Sequence, residues 1–180
     1  MEPRRGRLLV GTPLLTDPNF ARTVVLLLDH SADGAFGLIL NRPSDTTVAE
    51  VLHQWAADAA EPGVVFVGGP VSPQGAVGLA HSLAVDPVDA FAPLFNGIGT
   101  VDLDSETVPG LDRFRLFAGY AGWSAGQLEA EIEEGSWFVV ESEPEDAWTR
   151  RPHDLWQVVL RRQAGGLAMF AHCPVDPTTN

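Results

Sequence analysis

The sequence predicts an α+β fold in which strands and helices are mixed along the chain. Two apolar runs, residues 24–28 and 35–40, flank the turn-forming pair Asp33-Gly34 and predict a β-hairpin that is buried on both faces. Two further stretches have apolar residues at helical spacing. Each begins with a capping residue, Thr47 or Ser124, that is followed three residues later by Glu or Gln.

Turn residues and apolar periodicity place the other elements in order. Short strands are expected at residues 6–10, 64–67, 77–81, 100–103, 113–118 and 137–140. Helices are expected at residues 47–57, 124–135 and 152–163. Residues 86–99 hold two prolines and Asn96-Gly97, which indicate an irregular crossing with at most one short helical turn. We expect one domain over residues 1–180, with residues 173–180 as a loose tail.

Composition excludes several classes of function. All 11 basic residues are arginine, which removes a lysine Schiff base and the lysine of a phosphate-binding P-loop. Cys173 is the only cysteine, so an internal disulfide and a Cys-x-x-Cys motif are impossible. No apolar run approaches the roughly 18 residues of a membrane span. We therefore expect no membrane association, and the cytoplasm is the expected compartment.

The negative charge of the chain bears on its partners. The formal net charge is -13, and no basic residue lies between Arg42 and Arg113 or between Arg115 and Arg150. A nucleic-acid-binding protein normally carries a basic patch that releases counterions from the phosphate backbone. The charge therefore disfavours nucleic acid as a partner. We expect the partner to be a protein or a small anionic ligand.

Several motifs occur in a fixed order along nearly the whole chain. They are Gly6-Arg7-Leu8-Leu9-Val10-Gly11-Thr12-Pro13, Asp17-Pro18-Asn19-Phe20, Gly34-Ala35-Phe36-Gly37-Leu38, Asn41-Arg42-Pro43, Gly68-Gly69-Pro70-Val71 and Tyr120-Ala121-Gly122-Trp123-Ser124. Together they resemble the YqgE/AlgH family of bacterial proteins, also called UPF0301. The resemblance implies an α+β domain whose bifurcated mixed β-sheet folds into a pseudo-barrel with flanking helices. It implies no catalytic residue set, and some members have been labelled transcriptional regulators.

Three polar residues at the ends of apolar strands are the first binding candidates: Arg22, Asn41 and Arg42. In so acidic a chain, the two guanidinium groups can gather a carboxylate or a phosphate through bidentate hydrogen bonds. The structural alternative, which we favour, is that the arginines pair with Asp17 or Asp29 and hold the Asp-Pro-Asn turn.

The aromatic residues Tyr120 and Trp123 complete the candidate binding set. They can wall a pocket or a partner surface, although core packing beside close-approaching glycines explains them without a ligand. Gly68-Gly69-Pro70 follows a strand and invites a phosphate-loop hypothesis. A tight structural turn is favoured, because the Gly-x-Gly-x-x-Gly pattern is missing and Pro70 has no N–H.

Ser124 is the main catalytic candidate, because Gly122-Trp123-Ser124-Ala125-Gly126 is a Gly-x-Ser-x-Gly frame between a predicted strand and a predicted helix. A capping role reciprocated by Gln127 already explains the serine and is favoured. Chain order alone nominates its triad partners, which would be Asp146 or Asp154 with His153 or His172.

The histidines and the lone cysteine favour no site. His30, His53, His81, His153 and His172 show no His-x-x-x-His spacing, so we expect structural histidines and no metal or cofactor. A Cys173 nucleophile with His172 or His81 as base is disfavoured, because adjacent strand residues point to opposite faces. The acidic residues between Glu129 and Asp146 can bind a divalent cation or a basic partner, but a solvated face is favoured.

Three hypotheses follow from the sequence. The first is a non-enzymatic binding or regulatory protein that acts through the Asp-Pro-Asn turn, the Asn-Arg-Pro turn and the Tyr-Ala-Gly-Trp segment. The second is a DNA-associated transcriptional regulator, which requires the scattered arginines to converge in space. The third is an enzyme that uses Ser124 or an unrecognised arrangement of His, Asp and Arg.

Overall fold

The computed structural model describes residues 4–82, 90–105 and 108–174. Within these residues, ten strands form one sheet. They are β1 (Arg7–Gly11), β2 (Val24–Ser31), β3 (Gly34–Ile39), β4 (Pro43–Thr47), β5 (Val64–Val67), β6 (Val71–Ser82), β7 (Phe91–Phe95), β8 (Ile98–Val101), β9 (Leu111–Ser124) and β10 (Trp137–Glu141). The α-helices are α1 (Val48–Val51), α2 (Gln127–Glu133), α3 (Leu155–Arg161) and α4 (Leu167–Phe170). Each of these helices is too short to cross a bilayer, which takes about 20 residues.

The long strand β9 divides the sheet into two branches. One edge of β9 pairs antiparallel with β6. On the other edge, residues 121–124 pair antiparallel with β3, whereas Phe117 and Ala118 pair in parallel with β5. The main path runs β10-β1-β2-β3-β9-β6-β8-β7, and β4 and β5 form the side branch. The sheet is therefore mixed and bifurcated and curls into a half-barrel, which confirms the predicted fold class.

At the branch point, the backbone of Gly68 and Gly69 lies directly against the backbone of β9. The Gly68 carbonyl accepts a hydrogen bond from the Ile39 N–H at 2.9 Å. A Cβ on Gly68 would lie 2.3 Å from the Gly119 carbonyl oxygen, and a Cβ on Gly69 would lie 2.1 Å from the Tyr120 carbonyl carbon. Such distances exclude a side chain. The Gly68-Gly69 pair is thus a tight structural turn at the fork, as the sequence favoured.

Hydrophobic side chains fill three clusters. The largest cluster packs the sheet against α3 and includes Leu26 and Trp156. The second includes Val25 and Trp123 and lies against α2. The third surrounds Trp55, which follows α1. Because neighbouring β2 residues belong to different clusters, the predicted hairpin of β2 and β3 is buried on both faces, and that prediction is confirmed.

The predicted helix over residues 47–57 is wrong beyond its first turn. The capping box is present, because the Glu50 carboxylate accepts hydrogen bonds from the Thr47 N–H and hydroxyl at 2.7 and 2.8 Å. Leu52 then leaves helical geometry with φ -149°. A short 3₁₀ turn follows and stacks Trp55 on Phe114 with ring centroids 4.5 Å apart. The packing of the Trp55 ring against Phe114 of β9 therefore outweighs the tendency of the helix to continue.

The prediction of an irregular crossing at residues 86–99 is also wrong for residues 90–99, which the structure describes. Strands β7 and β8 form a hairpin whose turn is Asn96-Gly97, with φ of 48° and 76°. Positive φ at both central residues is typical of a type I′ hairpin turn. Pro93 lies in β7, at the end of the strand order, where a missing N–H is tolerated. Residues 86–89 lie outside the described residues.

Three other boundaries differ from expectation. Strand β9 continues to Ser124, so the Tyr-Ala-Gly-Trp segment is part of the strand. Helix α2 begins at Gln127 with Gly126 as its N-cap, and Gly135, with φ 84°, ends it as predicted. The helix predicted from Pro152 begins as a 3₁₀ turn and becomes α3. The short helix α4 was not predicted.

Candidate functional site

Three motif segments meet around one cleft of about 460 Å³. The Asp-Pro-Asn turn, the Asn-Arg-Pro end of the hairpin and the Gly-Gly-Pro turn all contribute to its walls. We call it the proline cleft, because four of its lining residues are prolines. It is lined by Pro18, Asn19, Ile39, Arg42, Pro43, Val67, Gly69, Pro70 and Pro73.

Arg42 supplies the electrostatic character of the proline cleft. Its Nη2 atom donates to the Ala21 carbonyl at 2.7 Å and, more weakly, to the Pro18 carbonyl at 3.5 Å. No carboxylate pairs with it among the described residues, so its Nε and Nη1 donors have no protein partner there. Arg42 is the one charged side chain among the lining residues. The cleft can therefore offer a guanidinium to an anion.

Asn41, one residue away, bonds the backbone of the neighbouring strand and turn through its amide. Its Oδ1 atom accepts a hydrogen bond from the Val24 N–H, and its Nδ2 atom donates to the Arg22 carbonyl, each at 2.9 Å. Arg22 has a φ of 56°, a left-handed conformation that bulky residues rarely adopt. The buried amide of Asn41 thus fixes a strained corner, and Asn41 does not line the cleft.

The side chain of Arg22 points to the carboxyl-terminal part of the chain. Its Nη2 atom donates to the carbonyls of Cys173, at 2.7 Å, and Pro174, and its guanidinium stacks over the Trp156 ring at 4.4 Å. The carbonyls of Cys173 and Pro174 thus bond to Arg22, and residues 175–180 of the predicted tail lie outside the described residues. The expected pairing of Arg22 and Arg42 with Asp17 or Asp29 is wrong, because both arginines bond backbone carbonyls instead.

Tyr120 and Trp123 lie on opposite faces of β9, as a spacing of three residues on a strand requires. The Tyr120 ring packs on Phe36 at 4.8 Å in the largest cluster. Trp123 is only 6% exposed, and its Nε1 donates to Glu131 Oε2 at 2.8 Å. It also packs on Trp137 at 6.0 Å. Of the five predicted binding residues, Arg42 alone lines the proline cleft.

Ser124 is exposed at the end of β9 and is hydrogen-bonded to Gln127 of helix α2. Gln127 Oε1 accepts hydrogen bonds from the Ser124 N–H at 3.0 Å and from the hydroxyl at 3.2 Å. Two acids nominated as its partners are in ion pairs: Asp146 with Arg162 at 2.6 Å, and Asp154 with Arg151 at 2.9 Å. In the described part of the chain, no hydrogen bond joins Ser124 to a histidine.

Two of the five histidines, His30 and His81, have side-chain partners within the protein. His30 Nδ1 accepts from the Arg4 N–H at 3.1 Å, and Nε2 contacts Glu129 Oε1 at 2.7 Å. This arrangement fixes the tautomer with the proton on Nε2. A hydrogen bond to its own backbone, followed by the His30 contact, lowers the pKa of Glu129. His81 Nδ1 contacts Asp112 at 2.6 Å. The described residues contain no cluster of three or more His, Cys, Asp and Glu side chains suited to a metal.

Arg115 is a buried charge that sequence analysis missed. It is 1% exposed and donates to the carbonyls of Glu61, Ala147 and Thr149 at 2.8, 2.9 and 3.1 Å. Its guanidinium lies 4.4 Å from the Phe66 ring centroid. Burial lowers its pKa to about 10, which still leaves it protonated at neutral pH. In the sequence, Arg115 lies between the apolar residues Phe114 and Leu116. This pattern was the signal that could have indicated its burial.

Comparison with known proteins places the chain in a family. A family model described as AlgH-like matches residues 8–168. The chain belongs to the AlgH-like family. A UPF0301 protein of Streptomyces coelicolor is 52% identical, and the alignment covers 97% of this chain and 94% of that protein. A UPF0301 protein of Mycobacterium leprae is 42% identical, with coverage of 98% and 91%. The resemblance seen in the sequence is therefore confirmed.

Two solved structures share the fold over nearly the full chain. A crystal structure of a Corynebacterium diphtheriae protein matches with a TM-score of 0.88 at 36% identity, covering 96% of this chain and 94% of that chain. The solution structure of AlgH from Pseudomonas aeruginosa matches with a TM-score of 0.72 at 27% identity, covering 97% and 96%. The bifurcated half-barrel is thus shared with these relatives.

Proposed function

We propose that this protein is a non-enzymatic binding or regulatory protein whose binding site is the proline cleft. The observation that carries the proposal is Arg42, a guanidinium with unused donors in a cleft that holds no other charge. A single guanidinium between rigid apolar walls suits a carboxylate or another anion attached to an apolar body. The cytoplasm is its proposed compartment, because the chain has one cysteine and cannot form an internal disulfide.

The chemistry of the lining supports binding over catalysis. A general acid or base must have a pKa near the working pH, and a nucleophile must have an activating partner. The lining residues include no Ser, Cys, His, Asp, Glu or Tyr. A guanidinium group can position and neutralise an anion, but it is not a general acid or base in proteins.

The placement of the other arginines supports a partner that is not nucleic acid. Arg115 is buried, and Arg22 is engaged with backbone carbonyls and an indole ring. Five more arginines pair with acidic side chains: Arg7 with Glu141, Arg113 with Glu145, Arg150 with Glu61, Arg151 with Asp154 and Arg162 with Asp146. Cations that already pair with carboxylates are less available to a phosphate backbone.

The test is a titration of the 15N-labelled protein with butyrate and with butyramide, its uncharged analogue. Butyrate should shift the backbone amide signals of Asn19, Arg42, Val67 and Gly69, and butyramide should leave them in place. The Arg42→Gln variant should lose this response, because the guanidinium is removed. Arg161→Gln, which removes the same charge from an exposed position on α3, should keep it.

Two results would overturn the proposal. The first is an unchanged spectrum with saturating butyrate, or an equal response of the Arg42→Gln variant. The second is turnover of ester or phosphate-ester substrates that Ser124→Ala abolishes, because the protein would then be an enzyme.

A further inference from the structure

A second cleft, of about 370 Å³, continues the proline cleft across the face of β4, β5 and β9. Val67 and Pro73 line both clefts, so the two clefts adjoin at these residues. Val51 of α1 lines the second cleft and not the proline cleft. The result is one groove with two parts, which we call the joined groove.

The two parts of the joined groove differ in chemistry. The second cleft has no charged lining residue, and its polar groups are the neutral side chains of Ser44, Thr46 and Gln74. Val51 and Val67 are large apolar residues that are 56% and 45% exposed. Neighbouring exposed apolar side chains in a groove are typical of a surface that another molecule covers. The joined groove therefore has one cationic part, at Arg42, and one uncharged part with exposed apolar side chains.

A free phosphate or sulfate does not fit this chemistry well. Phosphate sites usually surround the anion with several backbone N–H groups or several cations. The four prolines in the proline cleft have no N–H, and Arg42 is its single cation. A carboxylate requires fewer donors, and one guanidinium can bind it. An apolar chain that carries a carboxylate matches both parts of the joined groove.

We propose, on the basis of the proposed function, that the joined groove binds the carboxyl-terminal end of a partner polypeptide in an extended conformation. The terminal carboxylate pairs with Arg42, and the preceding apolar side chains lie over Val67 and reach Val51. The charge complementarity is direct, because a carboxyl terminus is always anionic at neutral pH. A guanidinium binds a carboxylate through charge-assisted hydrogen bonds, and exposed apolar side chains beside it favour a ligand with apolar groups next to that carboxylate.

The test uses the peptide acetyl-Ala-Leu-Val-Ala-Leu with a free carboxylate and the same peptide as its amide. The acid peptide should shift amide signals in both clefts, including Thr46, Val51 and Gln74, and should bind about tenfold more tightly than butyrate. Amidation and the Arg42→Gln substitution should each weaken peptide binding about tenfold, because each removes one charge of the pair.

Val51 separates this inference from the proposed function, because it lines only the second cleft. Val51→Asp should weaken peptide binding about tenfold and leave butyrate binding unchanged. Val51→Ser should act in the same direction with a smaller effect. Val158→Asp is the control on α3, because Val158 is an exposed valine that lines neither cleft, and it should change neither affinity.

The outcomes are distinguishable. If butyrate binds the proline cleft but the peptide shifts the same signals without a gain in affinity, the peptide inference is wrong and the proposed function stands. If the amidated peptide binds as tightly as the acid, the pairing with Arg42 is overturned. If neither butyrate nor the peptide binds, both proposals fail together.

Discussion

Polar groups near Trp123 are hydrogen-bonded to each other within the protein, whereas the guanidinium of Arg42 uses only some of its donors within the protein. Between β9, β10 and α2, the indole N–H groups of Trp123 and Trp137 both donate to Glu131 Oε2, at 2.8 and 2.9 Å. Gln127 donates to the other oxygen of the same carboxylate at 2.9 Å. In the proline cleft, by contrast, Arg42 uses one nitrogen on backbone carbonyls and keeps donors for a ligand.

The difference teaches that residue type alone is a poor guide to a binding site. In the sequence, Trp123 is a candidate for a pocket wall. In the structure, its ring packs in the second cluster and its N–H donates to Glu131. Arg42 has a similar position at a strand end, and its environment leaves part of its hydrogen-bonding capacity unused. The satisfied region should therefore control stability, and the unsatisfied region should control binding.

The strongest test of this comparison is Trp123→Ala. Removing a buried aromatic side chain from the second cluster should lower the free energy of unfolding by about 3–5 kcal/mol. Urea unfolding measures the loss. Leu14→Ala should change it by no more than about 0.5 kcal/mol, because Leu14 is 78% exposed. A small effect of Trp123→Ala would contradict the expectation that this region controls stability.

Glu131→Ala tests the shared carboxylate of the same region. The substitution leaves two part-buried indole N–H groups without their acceptor, so we expect a loss of about 2 kcal/mol in the free energy of unfolding. Tryptophan fluorescence during urea unfolding reports it. Glu133→Ala, on the exposed side of α2, is the matched control. Equal losses in the two variants would mean that the indole hydrogen bonds contribute little.

Arg42→Ala tests the other side of the comparison. It removes one hydrogen bond at 2.7 Å from a half-buried guanidinium, so the expected loss of unfolding free energy is about 1 kcal/mol. Butyrate binding should disappear in the same variant. Urea unfolding and the amide titration measure the two effects separately. A loss as large as that of Trp123→Ala would show that Arg42 is a structural residue, and the comparison would fail.

Glu50→Gln gives the smallest effect and concerns α1, which borders the joined groove. Hydrogen bonds from the Thr47 N–H and hydroxyl lower the pKa of Glu50 below its ordinary value of 4.5. A carboxylate whose folded pKa is lowered stabilises the fold above the unfolded pKa, and this stabilisation disappears as the pH falls through the folded pKa.

The stability difference between the wild type and Glu50→Gln should therefore be largest near neutral pH and should shrink below about pH 4.5. Thermal unfolding across this pH range measures the difference. Thr47→Ala should reproduce part of it, because one donor is lost, whereas Thr46→Ala should not. A difference that is independent of pH would argue against the capping box as its cause.

The local parts of the fold were predictable from the sequence, and its long-range pairings were not. The hairpin of β2 and β3 follows from its own apolar runs and turn, as does the capping box at Glu50. The parallel pairing of Phe66 with Phe117 joins segments about fifty residues apart, and no local pattern encodes it. The hairpin of β7 and β8 was missed because Pro93 argued against a strand, although an edge strand tolerates it.

The candidate site was predictable only in part for the same reason. Asn41 and Arg42 are neighbours with the same local signal, a polar residue after an apolar strand. Only the tertiary contacts of Asn41 with Val24 and Arg22 show that both polar atoms of its amide are bonded to backbone. The convergence of Pro18, Arg42 and Pro70 on one cleft likewise depends on the fork of the sheet.

The fork also limits how this scaffold can be diversified. Gly68, Gly69 and Gly119 touch backbone directly, so a combinatorial library should hold these three positions as glycine. Val51 and Val67 stand clear of that contact and project into the groove. New ligand preferences can therefore be selected by varying such peripheral side chains while the branching of the strands stays intact.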